Sequence, residues 1–287
     1  MDRRAKVFVA AHVALVLFST VALTTFLAGA GWWMTQDPAV TVYRWAWRLS
    51  APSYIIFGAI AIFLHARPRF GLKKALKLLA AGTLISLFFE LLGTMTGIPF
   101  GDYTYSPYMG YQIADLVPFT IPLSWFYMVY ASLAIVSRLF RADHSEKTKS
   151  AWALMAGALM TAWDIALDPA MSRATAHWTW ATDGDGFFYG MPLTNWFGWF
   201  LTGSIIARAM LYVSGTTNFD RKVSPSRLPL VVYGINGLMP IAICLRHELW
   251  WAAILGAIAM GIPLFLAWRA QIDTAEIDLR APPLKTI

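Results

Sequence analysis

The sequence predicts an all-α, polytopic integral membrane protein built as a bundle of about eight transmembrane helices. Hydrophobic residues make up 58% of its 287 positions and charged residues only 14%, whereas soluble domains average about 25% charged residues. Its apolar runs reach the roughly 20 residues that a helix needs to cross a bilayer. Because backbone amides in lipid must be satisfied within the chain, such runs form helices, and a barrel would show weaker, alternating segments.

The apolar runs define the elements in order along the chain. They place spans near 7–30, 50–66, 74–97, 117–138, 150–168, 191–213, 229–246 and 249–268. The first run is longer than the apolar core of a signal peptide, which has about 7–15 residues, so we expect it to remain as a helix. The second and seventh are short and only 246–248 separate the last two, so seven spans plus a re-entrant segment is the alternative. The spans form one predicted domain, 1–269, followed by a polar cytoplasmic tail, 270–287.

The basic residues predict how the bundle is oriented. All but four of the 23 lysines and arginines lie at the N-terminus, in 67–77, 138–149 and 208–227, or in the tail. The four exceptions are Arg44, Arg48, Arg173 and Arg246. Since cytoplasmic loops are enriched in Lys and Arg, both termini are predicted to be cytoplasmic. This placement accounts for the net charge of +7 without a nucleic-acid partner. The expected location is the plasma membrane of a bacterial or archaeal cell.

The sequence offers no metal-ligand pattern. Cys244 is the single cysteine and lies in an apolar stretch, so it can form neither an intrachain disulfide nor a cysteine metal site. The five histidines show no spacing such as HExxH, and no phosphate-binding glycine loop is present. We therefore predict no metal site and no cofactor.

Three acids at membrane depth are the candidate catalytic residues. Glu90 lies about seven residues, or roughly 10 Å, inside the end of its helix. An acid there costs about 2.5–3.5 kcal/mol, and such residues usually face a bundle interior and mark function. Asp164 and Asp168 are four residues apart and share a helix face. Their repulsion predicts that one or both is protonated, paired or bound to a cation. Asp168 precedes Pro169, so ending the helix is its alternative role.

Further candidates for binding the substrate or supporting the acids lie in two long outer loops, 98–116 and 169–190, and on the helices beside them. They are Asp102, Tyr103, Asp115, Trp125, Trp163, Asn195, Trp196 and Trp199. Both loops are rich in Gly, Pro, Tyr and Trp, so we expect them to fold over the bundle. Asn195 is a polar group at membrane depth that could hydrogen-bond a carboxyl group or join two helices. Aromatic belts and turn-forming Asp residues, Asp183 and Asp185 among them, are the structural alternative.

Several of these residues lie in motifs that resemble those of the CruF-type carotenoid 1,2-hydratases. The motifs are Phe89-Glu90-Leu91-Leu92-Gly93, 97–103, Pro122-Leu123-Ser124-Trp125, Ala162-Trp163-Asp164, Asp168-Pro169 and 190–196, and together they cover roughly 85–205. The resemblance implies addition of water across the terminal 1,2 double bond of an acyclic ψ-end carotenoid, giving a tertiary 1-hydroxyl without a redox cofactor. It implies a lipophilic carotenoid, water and membrane lipid as partners, with other carotenoid-pathway enzymes as further expected partners.

The acids independently suit that chemistry. Hydration of an isolated trisubstituted alkene needs a strong proton donor, a stabilised tertiary carbocation and a positioned water. A carboxylic acid at low dielectric can keep its proton at neutral pH, and aromatic faces stabilise cations by about 2 kcal/mol when desolvated. We expect Asp164 or Glu90 to donate the proton and the other, or Asn195, to orient the water. The sequence does not separate these roles.

Two other functions fit parts of the pattern. Asp164 and Asp168 resemble the aspartate pair with which a membrane prenyltransferase binds magnesium diphosphate, with Asp183 and Asp185 as the nearest second motif. The outer side, however, offers few bases for a diphosphate. In a proton-coupled transporter Glu90 and Asp164 would be relay sites, although the matched broken helices typical of such proteins are not evident.

Overall fold

The fold is a bundle of membrane-length helices, as the sequence predicts. The structure, a computed structural model, describes residues 3–26, 31, 37–140, 145–182, 185–215 and 226–270. The helices within these ranges are α1 (Arg3–Val21), α2 (Asp37–Phe70), α3 (Leu72–Thr96), α4 (Thr120–Leu139), α5 (Glu146–Asp168), α6 (Leu193–Ser214), α7 (Leu228–Arg246) and α8 (Trp250–Arg269). All eight contain a segment long and apolar enough to cross a membrane. Of the predicted tail, 270–287, the described part reaches only Ala270.

The second and fifth spans differ from those predicted, whereas the seventh has nearly its predicted bounds. The second span is not short, because α2 runs over 34 residues and its apolar part, Leu49–Phe70, has 22. The seventh has 19 residues, enough to cross. The fifth does not end at Asp168, because a π-helical turn, Pro169–Ala174, continues it. The wider turn accommodates the proline ring that would collide with the preceding carbonyl of a regular α-helix.

Helix α4 forms the centre of the bundle. It is buried around nearly its whole circumference and contacts α2, α3, α5, α6, α7 and α8. Helices α3 and α8 instead expose large apolar side chains, such as Phe88 and Ile258, as lipid-facing helices do. Glycines permit the closest helix approaches, since a Cβ on Gly82 would lie 2.7 Å from the Phe126 backbone.

The loops after α3 and α5 meet over one end of the bundle in a short ribbon. Strands β1 (Tyr103–Tyr105) and β4 (Trp178–Trp180) pair antiparallel, with Tyr103 opposite Trp180 and Tyr105 opposite Trp178. A second pair, β2 (Gln112–Ile113) and β3 (Val117–Pro118), lies in the first loop. Side chains of a strand alternate between its faces, so the four aromatic residues of β1 and β4 face the bundle and Thr104 and Thr179 face outward. We call β1 and β4 the aromatic ribbon and this end of the bundle the ribbon side.

Candidate active site

A cavity of about 130 Å³ lies between the helices, beneath the aromatic ribbon. Residues of α1 to α7 and of the two loops line it, and most of the lining is apolar. The carboxyl groups of Glu90 and Asp168 and the amides of Asn195 and Asn236 are the notable polar groups on its wall. An apolar cavity with a few convergent polar groups is typical of a small-molecule site.

Glu90 is buried on the face of α3 that contacts α4 and the ribbon, and it accepts three hydrogen bonds. Tyr103 and Tyr105 donate their phenolic protons to Oε2 at 2.5 and 2.8 Å. Trp125 of α4 donates its indole N–H to Oε1 at 2.9 Å. Burial raises the pKa of both phenols well above the ordinary value. The phenols therefore remain protonated and available to this carboxyl group.

Asp168 is buried at the end of α5 and is held by a different set of donors. The indole N–H of Trp178 donates to Oδ2 at 3.1 Å, and that of Trp180 lies 3.0 and 3.2 Å from the two oxygens. Ser172, one turn further along the π-helical segment, adds a third donor to Oδ1 at 3.0 Å. The side chain does not cap the following turn. The ribbon indoles and Ser172 thus hold the carboxyl group.

Asp164 lies one turn from Asp168 and is fully buried, but it lies behind the cavity wall. Its Oδ2 accepts a 2.8 Å hydrogen bond from Nδ2 of Asn195, and its Oδ1 has no partner among the described residues. Asn195 itself lines the cavity, and its Nδ2 also lies 2.9 Å from the sulfur of Met191. Asp164 and Met191 are thus the partners of the amide nitrogen. The amide oxygen of Asn195 remains to accept a hydrogen bond from a ligand in the cavity.

Aromatic rings make up much of the cavity wall. Trp125 and Trp199 stack with centroids 4.5 Å apart and planes 30° apart, and Trp163 meets Trp199 edge-on at 5.7 Å. On the ribbon side Tyr103 lies 5.3 Å from Trp180. These rings offer π faces to whatever occupies the cavity, and such faces attract positive charge.

The structure brings together most, but not all, of the predicted site residues. Those that line the cavity are Glu90, Tyr103, Trp125, Trp163, Asp168, Asn195 and Trp199. Asp102 and Asp115 are exposed in the first loop, and Trp196 packs against Phe187 and Phe188 instead. Asp185 is exposed, and Asp183 lies outside the described residues. Asp102 has a structural position, since it lies over Gly97 where any Cβ would meet its carboxylate at 2.4 Å.

Sequence reasoning did not select Tyr105, Trp178, Trp180 or His177, all of which line the cavity. The signal for the first three was the alternation in Tyr103-Thr104-Tyr105 and Trp178-Thr179-Trp180, which has the period of a strand. His177 precedes β4 and bonds the Thr175 hydroxyl through Nδ1 at 2.6 Å. Burial lowers the pKa of His177 to about 4, so it is neutral near pH 7.

A second network of buried polar groups adjoins the cavity at Asn236. Tyr127 donates to Oδ1 of Asn236 at 3.1 Å, and Nδ2 of Asn236 lies 2.9 Å from Nε2 of the fully buried His12. Nδ1 of His12 meets the backbone oxygen of Tyr54 at 2.7 Å. Both ring nitrogens of His12 and the side chain of Asn236 are therefore satisfied, as a stable buried polar network requires.

Fold and site together define a polytopic membrane protein with a buried acid centre under an aromatic cover. The chain belongs to the carotenoid biosynthesis protein family, whose model matches residues 50–263. This confirms the family that the sequence motifs indicated. The matched region contains Glu90, Asp164, Asp168 and Asn195.

One curated relative is named a hydratase. The chain is 28% identical over 194 residues to the bisanhydrobacterioruberin hydratase of Haloarcula japonica. The alignment covers 66% of this chain and 60% of that relative, so the chain spans less than two thirds of its length. No solved structure matches the chain.

Proposed function

We propose that this protein is a carotenoid hydratase that adds water across the terminal C1–C2 double bond of an acyclic ψ-end carotenoid. Substrates of the lycopene, γ-carotene or bisanhydrobacterioruberin type carry this end group. The observation that carries the proposal is that two buried carboxyl groups, Glu90 and Asp168, face one apolar, aromatic cavity at membrane depth. Family membership and the hydratase relative support the same activity.

Glu90 is the proton donor in this proposal, because of the chemistry of its partners. A phenol can donate to a carboxylate or accept from a carboxylic acid, so Tyr103 and Tyr105 can satisfy Glu90 in both protonation states. Both oxygens of Asp168 instead face indoles, which can only donate, whereas the indole of Trp125 bonds Oε1 of Glu90 and leaves Oε2 to the phenols. Asp168 is therefore suited to remain a carboxylate while Glu90 gains and loses a proton.

The proposed reaction has three steps. The π electrons of C1=C2 form a bond from C2 to the Glu90 proton, which leaves Glu90 as a carboxylate and C1 as a tertiary cation. The oxygen of a water attacks C1 and forms the C–O bond. The resulting oxonium loses a proton, which returns to the Glu90 carboxylate, and becomes the tertiary alcohol. The sum is the addition of one water, with no change in redox state.

The wall around the two acids suits the cationic intermediate. The faces of Trp125, Trp163 and Trp199 can each contribute about 2 kcal/mol by cation–π attraction in a desolvated site. The negative charge of Asp168 would add electrostatic stabilisation that water does not screen. The ribbon covers one end of the cavity and would limit the access of bulk water.

Asn195 is the group that would hold the attacking water. With its nitrogen taken by Asp164, its amide oxygen can accept a hydrogen bond from water and leave an oxygen lone pair directed at C1. Asp164 then acts through Asn195 as a positioning residue. Asp164 is a poorer candidate for the proton donor, because it lies behind the cavity wall.

The donor chemistry at Asp168 also bears on the prenyltransferase alternative. A diphosphate-bound magnesium site needs free carboxylate oxygens. Indole N–H groups point at both oxygens of Asp168, and an amide N–H points at Asp164. Both carboxyl groups are thus arranged to accept hydrogen bonds, and this arrangement disfavours coordination of a metal cation.

The direct test is to express the protein in cells that accumulate lycopene or a monocyclic carotene. We expect products heavier by one water, and products carrying deuterium at C2 when the purified protein works in heavy water. A Glu90→Gln variant is the matched control. Unchanged carotenoids with well-folded wild-type protein would contradict the proposal, and release of diphosphate from an isoprenoid donor would favour the prenyltransferase.

A further inference from the structure

We propose that the cavity opens to lipid between α1 and α2, and that the polyene chain of the substrate lies in this opening while its end group reaches the acids. We call the opening the α1–α2 portal and define it by Phe18, Ala22, Ser50 and Ala51. The identity of the occupant rests on the proposed function. The location of the portal rests on the cavity wall alone.

The cavity has two chemically different ends. Its acids, indoles and Asn195 come from α3 to α6 and the loops, whereas α1 and α2 contribute an uncharged wall. The residues of this wall are Phe18, Ser19, Ala22, Leu23, Ser50, Ala51, Pro52, Tyr54 and Ile55. Phe18 is 51% exposed although it lines the cavity, while its neighbour Ser19 is buried. A residue of a membrane-spanning helix that is both on the cavity wall and on the outer surface marks a place where the cavity reaches lipid.

The backbone is irregular on both sides of this opening. Helix α1 changes to a π-helical segment at Ala22–Phe26, and α2 contains Pro52. Both features interrupt the regular hydrogen-bond ladder and bend a helix, and π segments are frequent at functional sites. Small side chains, Ala22, Ser50 and Ala51, lie where the two helices would otherwise close the gap. Ser19 donates its hydroxyl proton to Leu15 O at 2.8 Å. An apolar chain in the opening would therefore not leave this donor without a hydrogen bond.

Two of the other walls are closed by residues that the structure describes. A Cβ added to Gly157 of α5 would lie 2.6 Å from the Phe200 backbone oxygen of α6, so these helices leave no gap there. The aromatic ribbon covers the end of the bundle. The part of a carotenoid chain that extends beyond the acids is apolar and is most stable in lipid, so we expect it to leave the protein through the opening.

Tryptophan substitutions at the portal test the inference. Ala22→Trp and Ala51→Trp fill the opening, and Val21→Trp and Leu49→Trp are matched controls, because both residues are exposed on the same helices and off the cavity wall. Each variant is assayed with lycopene and with a short acyclic isoprenoid alkene that has the same terminal double bond. We expect the portal variants to hydrate lycopene about tenfold or more slowly, because the added indole displaces the polyene and so misplaces its double bond, and to lose much less of their rate with the short alkene. We expect the controls to match wild type on both.

A binding measurement separates the portal from the reaction. Lycopene retained by the purified protein is quantified by its absorption, which needs no turnover. If wild-type protein retains lycopene without hydrating it and Ala51→Trp retains less, the portal stands and the proposed activity fails. Equal loss of the short alkene and lycopene in the portal variants would overturn the portal, as would wild-type lycopene turnover in both variants.

Discussion

Tyr103 donates its phenolic proton to Oε2 of Glu90 at 2.5 Å, which joins an outer strand to the membrane-embedded part of α3. Tyr105, two residues along the same strand, bonds the same oxygen. The ribbon that covers the cavity is therefore also the structure that holds the acid. In the proposed mechanism, the same contacts would both cover the site and orient its proton donor.

Replacing Glu90 tests the proton donor. Glu90→Gln retains the size of the side chain and its hydrogen bonds but removes the acid proton, so hydration should fall by about 10²–10⁴-fold. Folding should survive, because a neutral amide replaces an ionisable group in an apolar site. Product per unit of monodisperse protein measures the effect. Glu146→Gln is the matched control, since that exposed acid pairs with Lys149 far from the cavity, and Asp185→Asn is a second one. Near wild-type turnover in Glu90→Gln would refute the assignment.

Replacing Asp168 tests the stabilising carboxylate. Asp168→Asn brings an amide N–H₂ group toward indole donors and removes the negative charge, so we expect both lower activity and a loss of stability of about 1–3 kcal/mol. Trp180→Phe keeps the aromatic face and removes one donor, so it should reduce activity less. Thermal unfolding in detergent and turnover are measured for each variant. If Trp180→Phe is as inactive as Asp168→Asn, the ribbon matters more than the charge.

The stability of the protein should fall in mild acid because of His177. Burial lowers its pKa to about 4 from an ordinary 6.5, so between these values the unfolded chain binds more protons than the folded one. Folded stability then declines as the pH falls from 6.5 to 4, by roughly 3 kcal/mol at most, and no further below 4. Denaturant unfolding of wild type and His177→Phe over this range isolates the effect. An unchanged pH slope in the variant would show that other groups cause it.

The orientation of the bundle is tested by reporter fusions. Fusions after residues 72, 144 and 220 should report the cytoplasm, and those after 110 and 180 the opposite side. The reason is the clustering of lysine and arginine in alternate loops. The reverse pattern would place the aromatic ribbon on the cytoplasmic side.

Hydropathy and charge suffice to predict the bundle, because each span must satisfy its own backbone in lipid. Glu90 could also be recognised as a candidate site residue, since an ionisable group within a membrane span is costly whatever the arrangement of the helices. Helical spacing placed Asp164 and Asp168 on one face and the sequence favoured Asp164 as a proton donor, yet of the two only Asp168 lines the cavity. That difference depends on the π-helical turn after Asp168 and on the pairing of β1 with β4, which join residues 75 positions apart. No local pattern encodes such a long-range pairing.

The pair formed by Asp164 and Asn195 separates proton donation from water capture. If Asp164 orients Asn195, Asp164→Asn lets the amide of Asn195 turn and present its nitrogen to the cavity, so the cation forms but water is badly placed. The cation then returns a proton and becomes an alkene again. In heavy water the recovered carotenoid should therefore gain deuterium while the alcohol declines, whereas Glu90→Gln should suppress both. Asn195→Ala should behave like Asp164→Asn, and the double variant should be no worse than either, because residues that act as one unit are not additive. Mass spectrometry of recovered substrate and product gives both rates. If Asp164→Asn lowers deuterium uptake and hydration equally, Asp164 donates the proton or only supports the fold, and its proposed action through Asn195 is wrong.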